Sequence, residues 1–561
     1  MSSLAVVPPG VVLIVGGLLL PFLEQRVRRL ALLLLPLATL YLVWLVPDGA
    51  QLHARFLAYE LTLLKGDALS RLFATVFALM AFAGGLFALN QERVAELAAA
   101  YCYAGSAIGV VFAGDLISVF IFWEAMAIGS TLVIWSAGPS ARRAGLRYAA
   151  IHLLGGVLLM AGVAGEIAAT GTLAFERMAL DTLPRGLILA GFLINVGAPP
   201  LSAWLPDAYP ESSWSGMVFL SAFTTKTAVY VLLRGFPGTE LLIWIGLFMV
   251  FYGIVFAILE NDMRRILAYS IVNQVGFMVT GIGIGTEMAL NGATAHAFSH
   301  IIYKALLLMS AGSVLYMTGK RKCTDLGGLF RTMPLTAVCG IVGALSISSF
   351  PLTSGFVSKS MIAEAAGTLR LEAVWYLLAA ASAGVFLHAG IKFPWFVFFQ
   401  KDSGLRPAEP PWNMRTAMIL FAALCVGFGV APGALYALLP FPVDYVPYTA
   451  SHVVFQLQLL LFSGLAFFLM LGWLKRTLTI TLDVDWLYRR VGISLAQAFD
   501  RGVAVAWQGV TAAAERVTRD VVRAVHRHHG PDGALARPWP TGSMAFWATV
   551  MLAAYLVLSY L

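Results

Sequence analysis

Eight ionisable side chains that could carry chemistry stand inside long apolar stretches of this 561-residue chain. Glu124 lies within Phe122-Trp123-Glu124-Ala125-Met126, and Lys226 within Thr224-Thr225-Lys226-Thr227-Ala228. His296, His300 and Lys304 follow one another at a spacing of four, which places them on one stripe of a helix. Lys359 follows a proline- and glycine-containing interruption, and Lys392 stands four residues after His388. An ionisable group at membrane depth costs about 2.5–3.5 kcal/mol on insertion scales, so each asks for a reason. A line of buried Lys, His and Glu is the chemistry of a proton path. A titratable group held away from bulk water gains or loses its proton when a neighbour moves or changes charge. Water bridges the gaps between such groups.

Several of these residues have plainer readings. Glu124 can serve as the structural partner of a lysine, His296 as a satisfied core histidine, and Lys392 as a snorkelling residue at a span end. His388 by itself reads as structural, and Glu166 as a snorkelling or packing residue. Lys304 and Lys359 lie deeper and resist such explanations. A metal site is not expected at the histidine stripe, because no carboxylate or thiol stands beside it in sequence. No GxGxxG after a strand and no GxxxxGK[ST] loop occurs, so no nucleotide site is expected.

Such residues need helices to carry them, and the composition supplies these. Apolar residues make up 60% of the chain and charged residues 12%, about half the roughly 25% of a soluble domain. Many apolar stretches reach the 18 or more residues that cross a bilayer. The chain is therefore expected to be an all-α polytopic membrane protein. A soluble enzyme, a disordered chain and a disulfide scaffold are excluded, and so is a membrane barrel, whose strands would alternate with period two. Cys102, Cys323, Cys339 and Cys425 are scattered with no CxxC pair, which argues against iron–sulfur and zinc sites. The net charge of +8 fits basic cytoplasmic loops better than a nucleic-acid partner.

About sixteen spans are expected, near 5–23, 29–46, 70–89, 95–113, 115–136, 143–169, 186–205, 212–234, 239–259, 265–286, 289–317, 334–366, 372–399, 412–438, 451–474 and 544–561. The first run lacks a basic lead and reads as a span rather than a cleaved leader. Arg26/Arg28/Arg29, Arg142/Arg143/Arg147, Arg264/Arg265, Lys320/Arg321/Lys322 and Lys475/Arg476 follow spans 1, 5, 9, 11 and 15. These exits are expected to be cytoplasmic, with the N-terminus outside. Span 7 is interrupted at Gly197-Ala198-Pro199-Pro200, and span 12 between Ser348 and Gly355 around Pro351. Broken helices at membrane depth occur where they are buried or line a wet cavity. Two breaks five spans apart point to two inverted five-helix repeats, spans 4–8 and 9–13. The expected division is helices 1–3 in 1–94, repeats in 95–234 and 239–400, helices 14–15 in 401–478, an amphipathic segment in 479–543 and a last span in 544–561. Within 485–529, Val491, Leu495, Phe499 and Val503 recur at helical spacing among charges, which reads as a helix along a membrane surface or a partner.

Phe122-Trp123-Glu124, Trp204-Leu205-Pro206-Asp207-Ala208, Asp262 through Ser270, His296-Ala297-Phe298-Ser299-His300 and Pro351 through Lys359 occur in an order that resembles the antiporter-like proton channel family. That family includes the large membrane subunits of respiratory complex I and the A and D subunits of Mrp-type cation/proton antiporters. The resemblance runs from about 95 to 400 and is greatest to the D-type chain. It implies a fourteen-helix core with inverted repeats. It implies a hydrated proton chain through Glu124, Lys226, His296, His300, Lys304 and Lys359; Lys392 is added to these candidates from its own place in the chain, four residues after His388. The family's lysine on span 7 falls on Asn195, which cannot hold a proton charge at neutral pH, so Lys226 is expected to pair with Glu124 or the first half is weakened. The C-terminal helix and extra span resemble the lateral helix of the distal complex I subunit, at about 45 residues or roughly 67 Å.

The reading is thus a proton-translocating subunit of a multisubunit Na+/proton antiporter in a bacterial inner membrane. It is expected to have other membrane subunits, protons, a monovalent cation and lipid as partners, and no cofactor, metal or nucleic acid. A transporter is expected rather than an enzyme. The alternatives are a proton-pumping subunit of a redox-driven complex with no redox centre in this chain, a non-conducting scaffold, and the membrane partner of an inorganic-carbon uptake system.

Overall fold

A computed structural model describes residues 7–477 and 483–561. The first two residues of the expected opening span, and 479–482 of the expected amphipathic segment, lie outside them. The chain divides into two units, Met1–Asp485 and Trp486–Leu561.

The first unit begins with α1 (Pro9–Leu19) and α2 (Gln25–Leu45). A hairpin of β1 (Gln51–Phe56) and β2 (Tyr59–Lys65) follows, antiparallel with Phe56 opposite Tyr59. The all-α reading did not anticipate it. It is tied to the bundle by Thr62, whose N–H donates to Asp115 Oδ2 at 2.7 Å and whose carbonyl accepts from Gly114 N at 2.9 Å. Then come α3 (Ala68–Phe87), α4 (Val94–Phe112), α5 (Leu116–Trp135), α6 (Arg142–Thr170), α7 (Leu183–Val196), the short α8 (Trp204–Ala208) and α9 (Gly216–Leu220), and α10 (Thr224–Gly235). The run continues with α11 (Leu241–Leu259), α12 (Met263–Ile284), α13 (Glu287–Thr318), α14 (Pro334–Ile347), α15 (Ser354–Thr368), α16 (Glu372–Val385), α17 (Trp412–Val430), the short α18 (Gly433–Tyr436) and α19 (Ala450–Leu469).

Thirteen helices of the described residues are long and apolar enough to cross a membrane, and three shorter apolar helices, Pro9–Phe22, Leu183–Val196 and Pro334–Ile347, accompany them. Each expected span coincides with one of these. Several helix starts are set by side-chain caps, which satisfy orphan amides of the first turn. Asp67 and Ser70 form a reciprocal capping box on α3, Asp115 accepts from Ser118 N at α5, and Asp262 accepts from Arg264 N at α12.

The breaks have local causes. At the first, α7 ends at Val196 because Gly197 turns left-handed with φ +83, and Pro199 and Pro200 then deny the chain two amide donors. At the second, α14 stops at Ile347 and α15 starts at Ser354, with Pro351 in the gap. Gly355 falls in the first turn of α15, where a Cβ would overlap Ser346 O. Span 8 holds a further interruption between α9 and α10, at Ser221–Phe223. The span after α15 ends in π-helical turns at Phe386–Lys392 and Trp395–Phe399.

Helices α10 and α12 are enclosed almost throughout, whereas α2 and α19 keep most of their surface exposed. Small residues allow the tightest contacts: Gly246 of α11 and Gly276 of α12 leave no room for a Cβ between the two backbones. The innermost helices are therefore the ones that carry polar side chains.

The second unit contains α20, which begins at Asp485 and runs 45 residues to His529, and α21 (Thr541–Tyr560). Pro531 and Gly533 stand in the link between them.

Candidate functional site

The polar residues of α5, α6, α7 and α10 meet in the first half of the bundle. Glu124, midway along α5, is half-buried and its Oε1 has no protein partner. The carboxyl lies over Gly156 of α6, where a Cβ would stand 2.8 Å from Glu124 Cδ. Asn195, in the last turn of α7, is fully buried with neither amide atom partnered. Its Oδ1 lies 3.4 Å from the Cβ position of Gly155. Lys226, in the first turn of α10, is fully buried. Its Nζ donates to Ser221 O at 2.6 Å and Thr225 Oγ1 at 3.0 Å. No ion pair joins Lys226 to Glu124, so the expected pairing is not formed among the described residues.

The stripe on α13 occupies the centre, and all three of its members are fully buried. His296 Nδ1 is 3.2 Å from Ser358 Oγ, and its Nε2 is 3.4 Å from Tyr303 OH, which donates to Gln274 Oε1 at 3.0 Å. Neither ring nitrogen of His300 has a protein partner. Lys304 Nζ donates to Ser270 Oγ at 2.9 Å. Lys359, on α15 beyond the break, donates to Ile347 O at 2.9 Å and stands 4.8 Å over the Phe277 ring, a cation–π contact. A cavity of about 510 Å³ opens beside it, bordered by Ser360, Glu364, Asp444, Tyr445 and His452.

The line continues past α16. His388 Nδ1 donates to Gly384 O at 2.9 Å. Lys392 is buried and donates to three carbonyls at the end of α11: Ala257 at 3.1 Å, Glu260 at 2.5 Å, and Ile258. This arrangement differs from snorkelling, since the ammonium turns to a helix terminus rather than to the interface. Glu166 makes a two-pronged ion pair with Arg185 of α7 at 2.9 Å, a packing role.

Among the described residues, no carboxylate lies within ion-pair distance of Lys226, Lys304 or Lys359. Three of the lysines lean on helix C-termini instead: Lys226 on the residue closing α9, Lys359 on the last residue of α14, and Lys392 on α11. A helix C-terminus carries roughly half a negative charge.

Sequence reasoning passed over His152 of α6, which is 1% exposed with its Nε2 unpartnered. A lone histidine in an apolar helix carries no spacing signal. The same holds for Tyr303 and Gln274, which link α13 to α12. Among the described residues no group of three or more His, Cys, Asp or Glu side chains converges as a metal ion would require.

Residues 113–387 match the family described as NADH:quinone oxidoreductase/Mrp antiporter, TM. The chain is 30% identical over 409 residues to the D-type subunit of the Na(+)/H(+) antiporter of Alkalihalophilus pseudofirmus, covering 64% of this chain and 80% of that protein. It is 30% identical over 390 residues to the A/B-type subunit of a probable K(+)/H(+) antiporter of Rhizobium meliloti, over 65% of this chain and 39% of that one. It is 33% identical over 273 residues to the N-type subunit of the NADH-quinone oxidoreductase of Desulforudis audaxviator, over 45% and 54%. The match thus spans well under two thirds of the second and third of these relatives. Among solved structures, a chain of the Mrp complex from Dietzia sp. superposes with TM-score 0.74 at 23% identity, over 91% of this chain and 62% of that one. A chain of an archaeal membrane-bound sulfane sulfur reductase gives 0.72 at 22% identity, over 99% and 100%. Both share the fold. This multi-pass membrane protein belongs to the NADH:quinone oxidoreductase/Mrp antiporter transmembrane family.

Proposed function

We propose that this chain is the proton-carrying subunit of a multisubunit monovalent cation/proton antiporter in a bacterial inner membrane, with its N-terminus outside. The observation that carries the reading is the run of buried lysines and histidines in which, among the described residues, Lys226, Lys304 and Lys359 have no carboxylate at ion-pair distance. A buried cation with no counter-charge is costly. One that can lose its proton to a hydrated neighbour escapes that cost, and a row of them passes protons along. In this reading protons move through Glu124, Lys226, His296, His300, Lys304 and Lys359, with Lys392 at the far end. Residues 95–234 and 239–400 form the two inverted repeats, each with one broken helix. The cavity beside Lys359 is one mouth of the path. Other membrane subunits handle sodium or another monovalent cation, as the relatives' names as antiporter subunits suggest. Helix α20, about 67 Å long at 1.5 Å per residue, braces a neighbour.

The test is cation-induced collapse of a preset pH gradient in inverted vesicles holding the chain with its neighbouring subunits. The proposal expects sodium or potassium to collapse the gradient, and Lys359→Ala to abolish the response with assembly intact. Equal responses of wild type and variant would overturn it and favour a scaffold.

A second reading is a proton-pumping subunit of a redox-driven assembly. The end-to-end fold match to a respiratory complex chain and the likeness to an NADH-quinone oxidoreductase subunit favour it. Co-purification with flavin or iron–sulfur subunits would select it.

A further inference from the structure

One face of α6 gathers buried polar atoms that the path as described does not use. His152, Gly155 and Gly156 share that face, three and four residues apart. Glu124 lies over Gly156 and Asn195 beside Gly155. Four buried polar atoms there have no protein partner: Glu124 Oε1, His152 Nε2, and Asn195 Oδ1 and Nδ2. A buried polar atom without a partner costs about 1–3 kcal/mol. Water satisfies such groups where a site is polar, and the paired glycines let the Glu124 carboxyl and the Asn195 amide come close against this face of α6.

The tautomer of His152 is fixed by its surroundings. Nδ1 lies 2.9 Å from Tyr148 O, and a carbonyl only accepts, so Nδ1 carries the hydrogen. In the neutral ring Nε2 is then a bare acceptor. The ring is clamped, stacked on Tyr148 at 3.9 Å between centroids and edge-on to Trp204 at 4.7 Å. The Tyr148 hydroxyl is 3.4 Å from Thr224 Oγ1 at the start of α10, two residues before Lys226. Along α6, His152 thus stands one turn from Gly156, over which the α5 carboxyl lies, and one turn from Tyr148, which reaches the start of α10.

We propose that His152 carries protons in the first half of the path, exchanging them with Glu124 through water and so bridging Glu124 to the Lys226 end. The inference rests on the proton-path reading above. In the step, the Glu124 carboxylic acid gives a proton to a water, and that water gives one to His152 Nε2. The products are a carboxylate and an imidazolium whose Nδ1–H still donates to Tyr148 O. Asn195 steadies the water from both ends of its amide and takes no proton itself. Against His152 stand Tyr148 on its own helix and Trp204 of α8, with Tyr209 beyond Trp204 and Asp207 of α8 paired to Arg147 of α6; Glu124 of α5 and Asn195 of α7 lie against the glycines of the same α6 face.

The experiment is cation-driven proton flux across pH 6–9 in vesicles holding the assembled complex. His152→Gln keeps polarity and size but cannot titrate. It is expected to lower flux at least tenfold with normal assembly, and Glu124→Gln on top of it is expected to add little. Asn195→Lys in the His152→Gln background returns a titratable group to the same face and is expected to restore flux with a displaced pH profile. This rescue also decides the matter if His152→Gln alone assembles poorly, since a purely structural histidine would not be rescued from α7. Wild-type flux and pH profile in His152→Gln, or no rescue by Asn195→Lys, would overturn the proposal. Lys359→Ala runs alongside: loss there with none in His152→Gln refutes only this inference, whereas no loss in either refutes the proton path itself.

Discussion

Replacing Gly156 by alanine moves the Glu124 carboxyl without removing it. The new Cβ would stand 2.8 Å from Glu124 Cδ and closer still to Oε1. Ordinary carbon contacts lie at about 3.5–4.0 Å, so the carboxyl must retreat by about 1 Å. It is the end of a flexible side chain, so the fold is expected to survive while the group's position changes. Proton relay needs heavy atoms about 2.6–3.2 Å apart, directly or through one water. A misplacement of about 1 Å costs up to roughly 100-fold in rate. Gly156→Ala is therefore expected to lower cation-driven proton flux by about tenfold to 100-fold, with a thermal midpoint close to that of wild type. Gly155→Ala is the control. Its Cβ would meet Ile194 Cγ2 at 3.3 Å and Asn195 Oδ1 at 3.4 Å, so less has to move and the loss is expected to be several-fold at most. The assay is gradient collapse in inverted vesicles, with assembly checked by co-purification of neighbouring subunits. Equal flux in Gly156→Ala and wild type would refute the claim that the α5 carboxyl works from its place over Gly156 of α6.

Lys304→Met keeps length and burial but removes the charge; flux is expected to fall about 100-fold with assembly retained, the usual scale for losing a proton-transfer group. Arg264→Ala removes the donor that holds Pro210 O, Ser212 O and Ser213 O at 2.7–2.9 Å. Leaving buried acceptors bare is expected to destabilise by about 3–5 kcal/mol, read as a lower melting temperature in detergent; an unchanged midpoint would count against this account of the 209–215 loop. Burial pushes the Cys323 thiol up to about 12. A chain keeping only that cysteine is expected to react with maleimide at pH 8 at least about 100-fold more slowly when native than in denaturant, and similar rates would contradict it.

The sequence disclosed what depends on composition and local chain chemistry. Span positions follow from apolar length, and the breaks near Pro199 and Pro351 follow from residues that cannot sustain a helix. The stripe of His296, His300 and Lys304 was visible because a spacing of four survives in any helix. Other features depend on what a helix meets. The interruption at Ser221–Phe223 contains neither glycine nor proline. The hairpin at 51–65 is short; its alternation of Leu52, Ala54 and Phe56 with polar neighbours was the available signal. His152 gains meaning only where α6 faces Glu124 and Asn195, a meeting no spacing encodes. The spacing of His388 and Lys392 is legible in the chain, but the turn of the Lys392 ammonium to the end of α11 required the fold.

Three lysines of this line rest on peptide oxygens: Lys226 on Ser221 O, Lys359 on Ile347 O, Lys392 on the end of α11. Peptide oxygens belong to every residue type. Exchanging Ser221 or Ile347 for another amino acid leaves the acceptor where it was. An alanine scan would report these positions as silent, although they hold the ammonium groups. Their contribution becomes visible only when the helix end itself is shifted, by insertion, by deletion, or by swapping a backbone amide for an ester one residue later.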